Sequence, residues 1–180
     1  MASGPRSQIG GFITDPTGRS FWFSELFLWD DFQALHLDLK PDLQKSITCL
    51  ETLAQIALLL MTSKYFPGHR MPICLKSLSD NTGAEASSNK LFSVNRPLCY
   101  FLERLCLLSA QTNMEIDVGH IPGHDNVLAD NLSRWDFNSS PPGGMQLSDR
   151  VRMPLKELWR DHQKPGVFPP ECHVPWPLPK

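Results

Sequence analysis

The stretch His120-Ile121-Pro122-Gly123-His124-Asp125-Asn126-Val127-Leu128-Ala129-Asp130-Asn131-Leu132-Ser133-Arg134-Trp135 packs two His, two Asp and a Pro-Gly turn into a short space. Just ahead of it, Ile116 and Val118 alternate with Glu115, Asp117 and Gly119, which is the period of a half-buried strand. Pro122 and Gly123 break that strand into a loop. Asp125 or Asn126 can then cap a short helix through Val127, Leu128 and Leu132. Asp130 falls inside this helix and His120 at the mouth of the loop. A carboxylate on a helix facing an imidazole on a loop suits a metal-dependent site. The same residues also read as a strand, a turn and a helix whose Asp and His are merely solvated.

Working outward, three further acids come into question. A long helix is predicted from Ser46 to Tyr65, because Ile47, Leu50, Ala54, Ala57, Leu58 and Met61 recur at helical spacing. Glu51 lies on the buried side of that wheel, either as a capping-box partner of Thr48 or as a ligand turned into a site. Met71–Leu78 is an apolar run with the look of an interior strand, followed by a short helix over 82–88. Asp80 at its end occupies the usual ligand position of an open α/β sheet, or else it is a helix N-cap. A further helix is predicted over 96–112, capped by Asn95 with Pro97 in its first turn. Near the start, Ile9–Thr14 and Arg19–Leu26 read as a hairpin around Asp15-Pro16-Thr17-Gly18, which gives Asp15 a structural task as turn former. Residues 27–45 are ambiguous between a third strand and a cover for the sheet edge.

The totals narrow the function classes. A formal charge of −2 gives no basic signature, so affinity for a polyanion has to come from a local patch or be weak. No run of eighteen apolar residues is present, and no membrane span is predicted. The first residues lack the apolar core of a signal peptide. Five Cys without Cys-x-x-Cys spacing argue against disulfides and structural zinc. Cys49 and Cys106 are placed on apolar helix faces. These features suit an intracellular protein, cytoplasmic or nuclear, rather than a secreted one. After Trp135 the composition shifts, with nine of the sixteen prolines lying beyond it. Residues 136–180 therefore read as a Pro-rich linker and tail that packs little, with proteolysis expected first near Ser139–Gly144.

The pattern His-Ile-Pro-Gly-x-x-Asn-Val-x-Ala-Asp-x-Leu-Ser-Arg at residues 120–134 resembles the end of the ribonuclease H domain of retrotransposon reverse transcriptases of the DIRS and Gypsy types. Thr48-Cys49-Leu50-Glu51-Thr52-Leu53-Ala54 is similar to the first-helix segment of that family, and Leu78-Ser79-Asp80-Asn81 to its strand-end Asp. The resemblance covers residues 1–135. It implies an α/β fold, a ribonuclease H-like mixed sheet flanked by helices. It implies that Glu51, Asp80 and Asp130 are metal ligands for Mg²⁺, with Mn²⁺ as an alternative, and that His120 assists catalysis. The implied substrate is the RNA strand of an RNA–DNA hybrid, and the implied partner is the reverse transcriptase domain of a parent polyprotein.

One part of the pattern departs from the family. Family members begin the site with Asp-Ala-Ser followed by a Gly-Gly strand, whereas here Met1-Ala2-Ser3 precedes Ile9-Gly10-Gly11-Phe12. Met1 stands at the position of the family's first Asp, and the central strand that carries that Asp lies upstream. The resemblance thus implies a fragment of a longer polyprotein, an incomplete sheet in which the strands at 9–14 and 71–78 flank a gap, and impaired cleavage. The alternative is a non-catalytic remnant that acts as a weak nucleic-acid-binding or protein-interaction module through its Pro-rich tail.

Overall fold

The computed structural model describes residues 6–37, 39, 43–65 and 71–159. The chain opens with the hairpin. Strand β1 (Arg6–Thr14) pairs antiparallel with β2 (Ser20–Leu28), Thr14 opposite Ser20. The turn is tied by its own first residue. Asp15 accepts hydrogen bonds on Oδ1 from the Thr17 and Arg19 amides at 2.8 and 3.0 Å, and its carbonyl accepts one from the Gly18 amide. Gly18 takes φ of +87°, a conformation that only glycine adopts without strain. The ambiguous stretch that follows becomes helix α1 (Trp29–Ala34), which buries Trp29 and Phe32. It is not a third strand.

Helix α2 (Leu43–Tyr65) is the centre of the fold. Its Leu53, Ile56, Ala57 and Met61 are fully or almost fully buried. Residues Ser46–Tyr65, at mean hydropathy 1.4, meet the length and composition of a membrane span. Two-thirds of that stretch, 67%, is buried inside the protein, as in a core helix. Strand β3 (Ile73–Ser79), helices α3 (Thr82–Lys90) and α4 (Leu98–Thr112), and strand β4 (Met114–His120) follow. β3 and β4 run parallel, with Ile73 opposite Met114 and Ser79 opposite His120. Parallel strands need a crossover of this kind, and α3 and α4 supply it. Phe101, Leu105 and Leu108 of α4 close the core on α2. Helix α4 starts after Pro97 without a side-chain cap, so Asn95 does not cap it as expected. Cys49 is buried but Cys106 is exposed, which corrects its assignment to an apolar face.

The described strands therefore form two separate two-stranded sheets, β1–β2 and β3–β4, flanked by helices. Their directions follow from what lies at each end. The C-terminal end of β1, at Ile13 and Thr14, shares a small cavity with Thr62 and Tyr65 at the end of α2 and with Leu75 of β3. The C-terminal end of β3 lies at the other end of α2, where the Ser79 hydroxyl donates to Glu51. β1 and β3 thus run in opposite directions across α2.

Helix α5 (Val127–Ser133) rests directly on β1. Gly10 makes this possible, because a Cβ there would lie 2.4 Å from the Ser133 nitrogen and 2.5 Å from the Leu132 carbonyl carbon. The Ser24 hydroxyl of β2 donates to the Leu132 carbonyl at 2.7 Å and fixes the helix in place.

Residues 136–159 pack onto this framework, which corrects the expectation of a loose linker. The Trp135 and Phe137 rings pack at 4.9 Å, tilted by 52°, and the Trp135 indole donates to the Ser139 carbonyl at 3.1 Å. The Val151 amide donates to the Trp22 carbonyl at 2.7 Å along the outer edge of β2. Met153, Leu155 and Leu158 are buried in the main core, the last two on a one-turn helix α6 (Leu155–Leu158). Within the expected cleavage stretch 139–144, Pro142–Gly144 touches α5 while Ser139, Ser140, Gly143 and Gly144 stay exposed. The rest of the expected tail, 160–180, lies outside the described residues.

Candidate functional site

Between β1 and β3 runs a groove of about 770 Å³, floored by α2 and bounded at one end by α5. Glu51, Asp80 and Asp130 all line it. Each arrives on a different element, and each position has a local cause.

Glu51 lies more than a turn inside α2, so it is no capping residue. Its carboxylate accepts a hydrogen bond from the Ser79 hydroxyl at 3.2 Å. Thr48, its supposed capping partner, instead points its hydroxyl at Asn81 Oδ1, 3.4 Å away. Asp80 follows the last residue of β3. The capping task falls to its neighbour: Asn81 Oδ1 accepts from the Ala84 amide at 2.8 Å. With Asn81 as the cap, the exposed Asp80 carboxylate is left to face the groove. Asp130, in the first turn of α5, is half-buried and paired with Arg134 at 2.8 Å, an i,i+4 pair.

The electrostatics of the three acids converge on Glu51. Its carboxyl group titrates above the ordinary glutamate value. Burial is the main cause, the charge of Asp80 comes next and that of Asp130 adds to it, while the Ser79 hydrogen bond opposes the shift. Neither Glu51 nor Asp80 makes a salt bridge among the described residues. Like charges gathered at a half-buried position hold a proton more tightly and attract cations.

Carboxylate oxygens are the donors that hard cations such as Mg²⁺ prefer. Yet among the described residues no three His, Cys, Asp or Glu side chains come together as a metal-holding group. The acids share a groove and a field. Met1, at the position implied for a further ligand, lies outside the described residues.

His120 ends β4 and is exposed, with Nδ1 4.0 Å from Glu85 Oε2 of α3. It does not line the groove; its neighbour Ile121 does, and the Ile121 amide donates to the Ser79 carbonyl. Sequence reasoning missed Ser79, which holds Glu51, as well as Glu85 and Arg134, which face His120 and Asp130. The Arg134 contact was legible as an i,i+4 spacing. The other two pair residues distant in the chain and left no local signal. Compared with known proteins, the chain matches no protein-family model, no curated protein and no solved structure.

Proposed function

We propose that this chain is a retroelement-derived ribonuclease H-like domain whose nuclease site is incomplete. The supporting observation is the convergence of Glu51, Asp80 and Asp130, from a helix, a strand end and a second helix, on one end of a single groove. The order of elements supports it as well: hairpin, two helices, strand, two helices, strand, helix. The groove between β1 and β3, with no third strand between them among the described residues, fits that reading. The substrate class is an RNA–DNA hybrid, which such a domain recognises by shape and 2′-hydroxyls rather than by base sequence. In this reading a further carboxylate is needed beside the three acids to offset the charge of Mg²⁺, and the chain as given binds the ion weakly and cleaves hybrids feebly.

The test is a hybrid-cleavage assay with added Mg²⁺ or Mn²⁺, on two proteins. The chain as it stands shows at most trace cleavage. A version with a family-like strand joined ahead of Arg6, ending in Asp in place of Met1, has a higher Tm and metal-dependent cleavage that Glu51→Gln abolishes. Failure of the extended protein to cut sinks the nuclease reading. Equal cutting by both proteins sinks the claim that the site is incomplete.

A further inference from the structure

The connection between α3 and α4 gathers apolar side chains that the core does not use. In Lys90-Leu91-Phe92-Ser93-Val94-Asn95-Arg96 three apolar residues stand close together, bracketed by two cations. Leu91 is 36%, Phe92 68% and Val94 81% exposed, and Val94 exceeds every other exposed large apolar side chain among the described residues. Single exposed apolar residues are ordinary, whereas a group of them on one loop calls for a cause.

Packing within the chain supplies none. Leu91 ends α3 in the left-handed conformation, at φ +50°. Asn113 ends α4 in the same way, at φ +54°, and asparagine tolerates that conformation far better than leucine. The strain at Leu91 is held without full burial of its side chain. Strain with no local return is a mark of functional surfaces.

The charge of the loop is also set apart. No acid lies between Glu85 and Glu103 in the sequence. Among the described residues neither Lys90 nor Arg96 forms a salt bridge, and the Arg96 guanidinium lies 5.9 Å from the Tyr100 ring. Glu51 and Asp80 gather at the opposite end of α3, where Asn81 caps it. The length of α3, about 13 Å at 1.5 Å per residue, separates Asn81 from Lys90. That exceeds the screening length of about 8 Å at physiological salt. The loop is locally cationic on a chain of net charge −2.

We propose that the loop 90–96 is a peripheral docking element for an anionic lipid surface, with Phe92 and Val94 entering the headgroup boundary and Lys90 and Arg96 meeting the lipid anions. Such a surface answers both halves of the loop, an apolar layer for the tip and negative charge for its flanks. A nucleic acid answers only one. It has phosphates for the two cations, but Leu91 and Val94 offer no ring on which a base can stack. The contact needs no spanning segment. It rests on the loop and does not depend on the nuclease reading.

The test sediments the full chain, without metal, with vesicles of phosphatidylcholine that contain phosphatidylserine or lack it. Saturable partition into the anionic vesicles is expected, with weaker partition into the neutral ones. Lys90→Gln and Arg96→Gln each weaken it about fivefold. The pair Phe92→Ser and Val94→Ser weakens it at least about tenfold. These side chains are exposed, so Tm stays unchanged while binding falls. Phe92→Trp keeps the tip apolar and tightens binding, which separates loss of contact from a disturbed loop. Absence of partition into anionic vesicles overturns the proposal, as does equal partition of the wild type and the loop variants, or of the wild type into both kinds of vesicle. Tighter binding of a single-stranded oligonucleotide, lost with the same substitutions, also overturns it, in favour of a nucleic acid as the partner.

Discussion

Two buried or half-buried glutamates in this protein have opposite surroundings. Glu25 of β2 is 4% exposed and fully matched: its Oε1 accepts from the Met153 amide at 2.9 Å and lies 3.4 Å from Arg152 Nε and 3.8 Å from Arg150 Nη2. Arg150 is itself held by a hydrogen bond to the Ser24 carbonyl and by the faces of Trp22, Trp135 and Phe137, all within 5.7 Å. Among the described residues Glu51 of α2 has only the Ser79 hydroxyl, and its charged neighbours are acids. A carboxylate buried with its cations binds the C-terminal segment to the hairpin. A carboxylate left among other carboxylates costs stability and is available to something positive from outside. The first arrangement is architecture and the second has the character of a site.

The contrast is broken most severely by removing the segment that matches Glu25. Deleting residues 136–180 takes away Arg150, Arg152 and the Met153 amide together with the buried Met153, Leu155 and Leu158. Each such side chain is worth about 1.5–3 kcal/mol, against a total stability of about 5–15 kcal/mol. The truncated chain should lose its cooperative thermal transition; an unchanged transition would mean that the segment is ornamental. Less severe is Glu25→Ala, which leaves Arg150 buried without its carboxylate. A loss of about 3 kcal/mol is expected in chemical denaturation, and a loss near zero would show that Glu25 is not matched in solution.

The smallest effect has the opposite sign. Glu51→Gln removes a charge that the fold disfavours while keeping an acceptor for Ser79, so it should raise stability at neutral pH by about 0.5 kcal/mol. The pH dependence follows from the raised titration of Glu51. In the unfolded chain the group titrates near its ordinary value of 4.5, and in the fold it titrates higher. The fold therefore binds the proton more tightly, and stability falls as the pH rises through that interval. The gap between wild type and Glu51→Gln should be full above the raised pKa and vanish below about 4.5. A gap that widens towards low pH would overturn the assignment of the shift.

Local reading reached the parts whose causes are local. The Asp15 turn, the long apolar helix, the strand ahead of Pro122 and the short helix carrying Asp130 are each written in a few neighbouring residues, through turn chemistry, periodicity and breakers. Placing Glu51, Asp80 and Asp130 on a helix, a strand end and a helix followed from the same signals. The pairing of residues far apart in the chain was not legible. Nothing near Asn81 announces that it, and not Asp80, caps α3. Proline content after Trp135 suggested a loose linker, but Arg150, Met153 and Leu158 are tied by hydrogen bonds to partners more than a hundred residues away for Arg150 and Met153, and 54 residues away for Leu158. Burial and charge matching depend on what the folded chain brings opposite a residue. For the same reason only the tertiary structure decided that His120 faces Glu85, that the three acids share a groove, and that β1 and β3 pair with no third strand among the described residues.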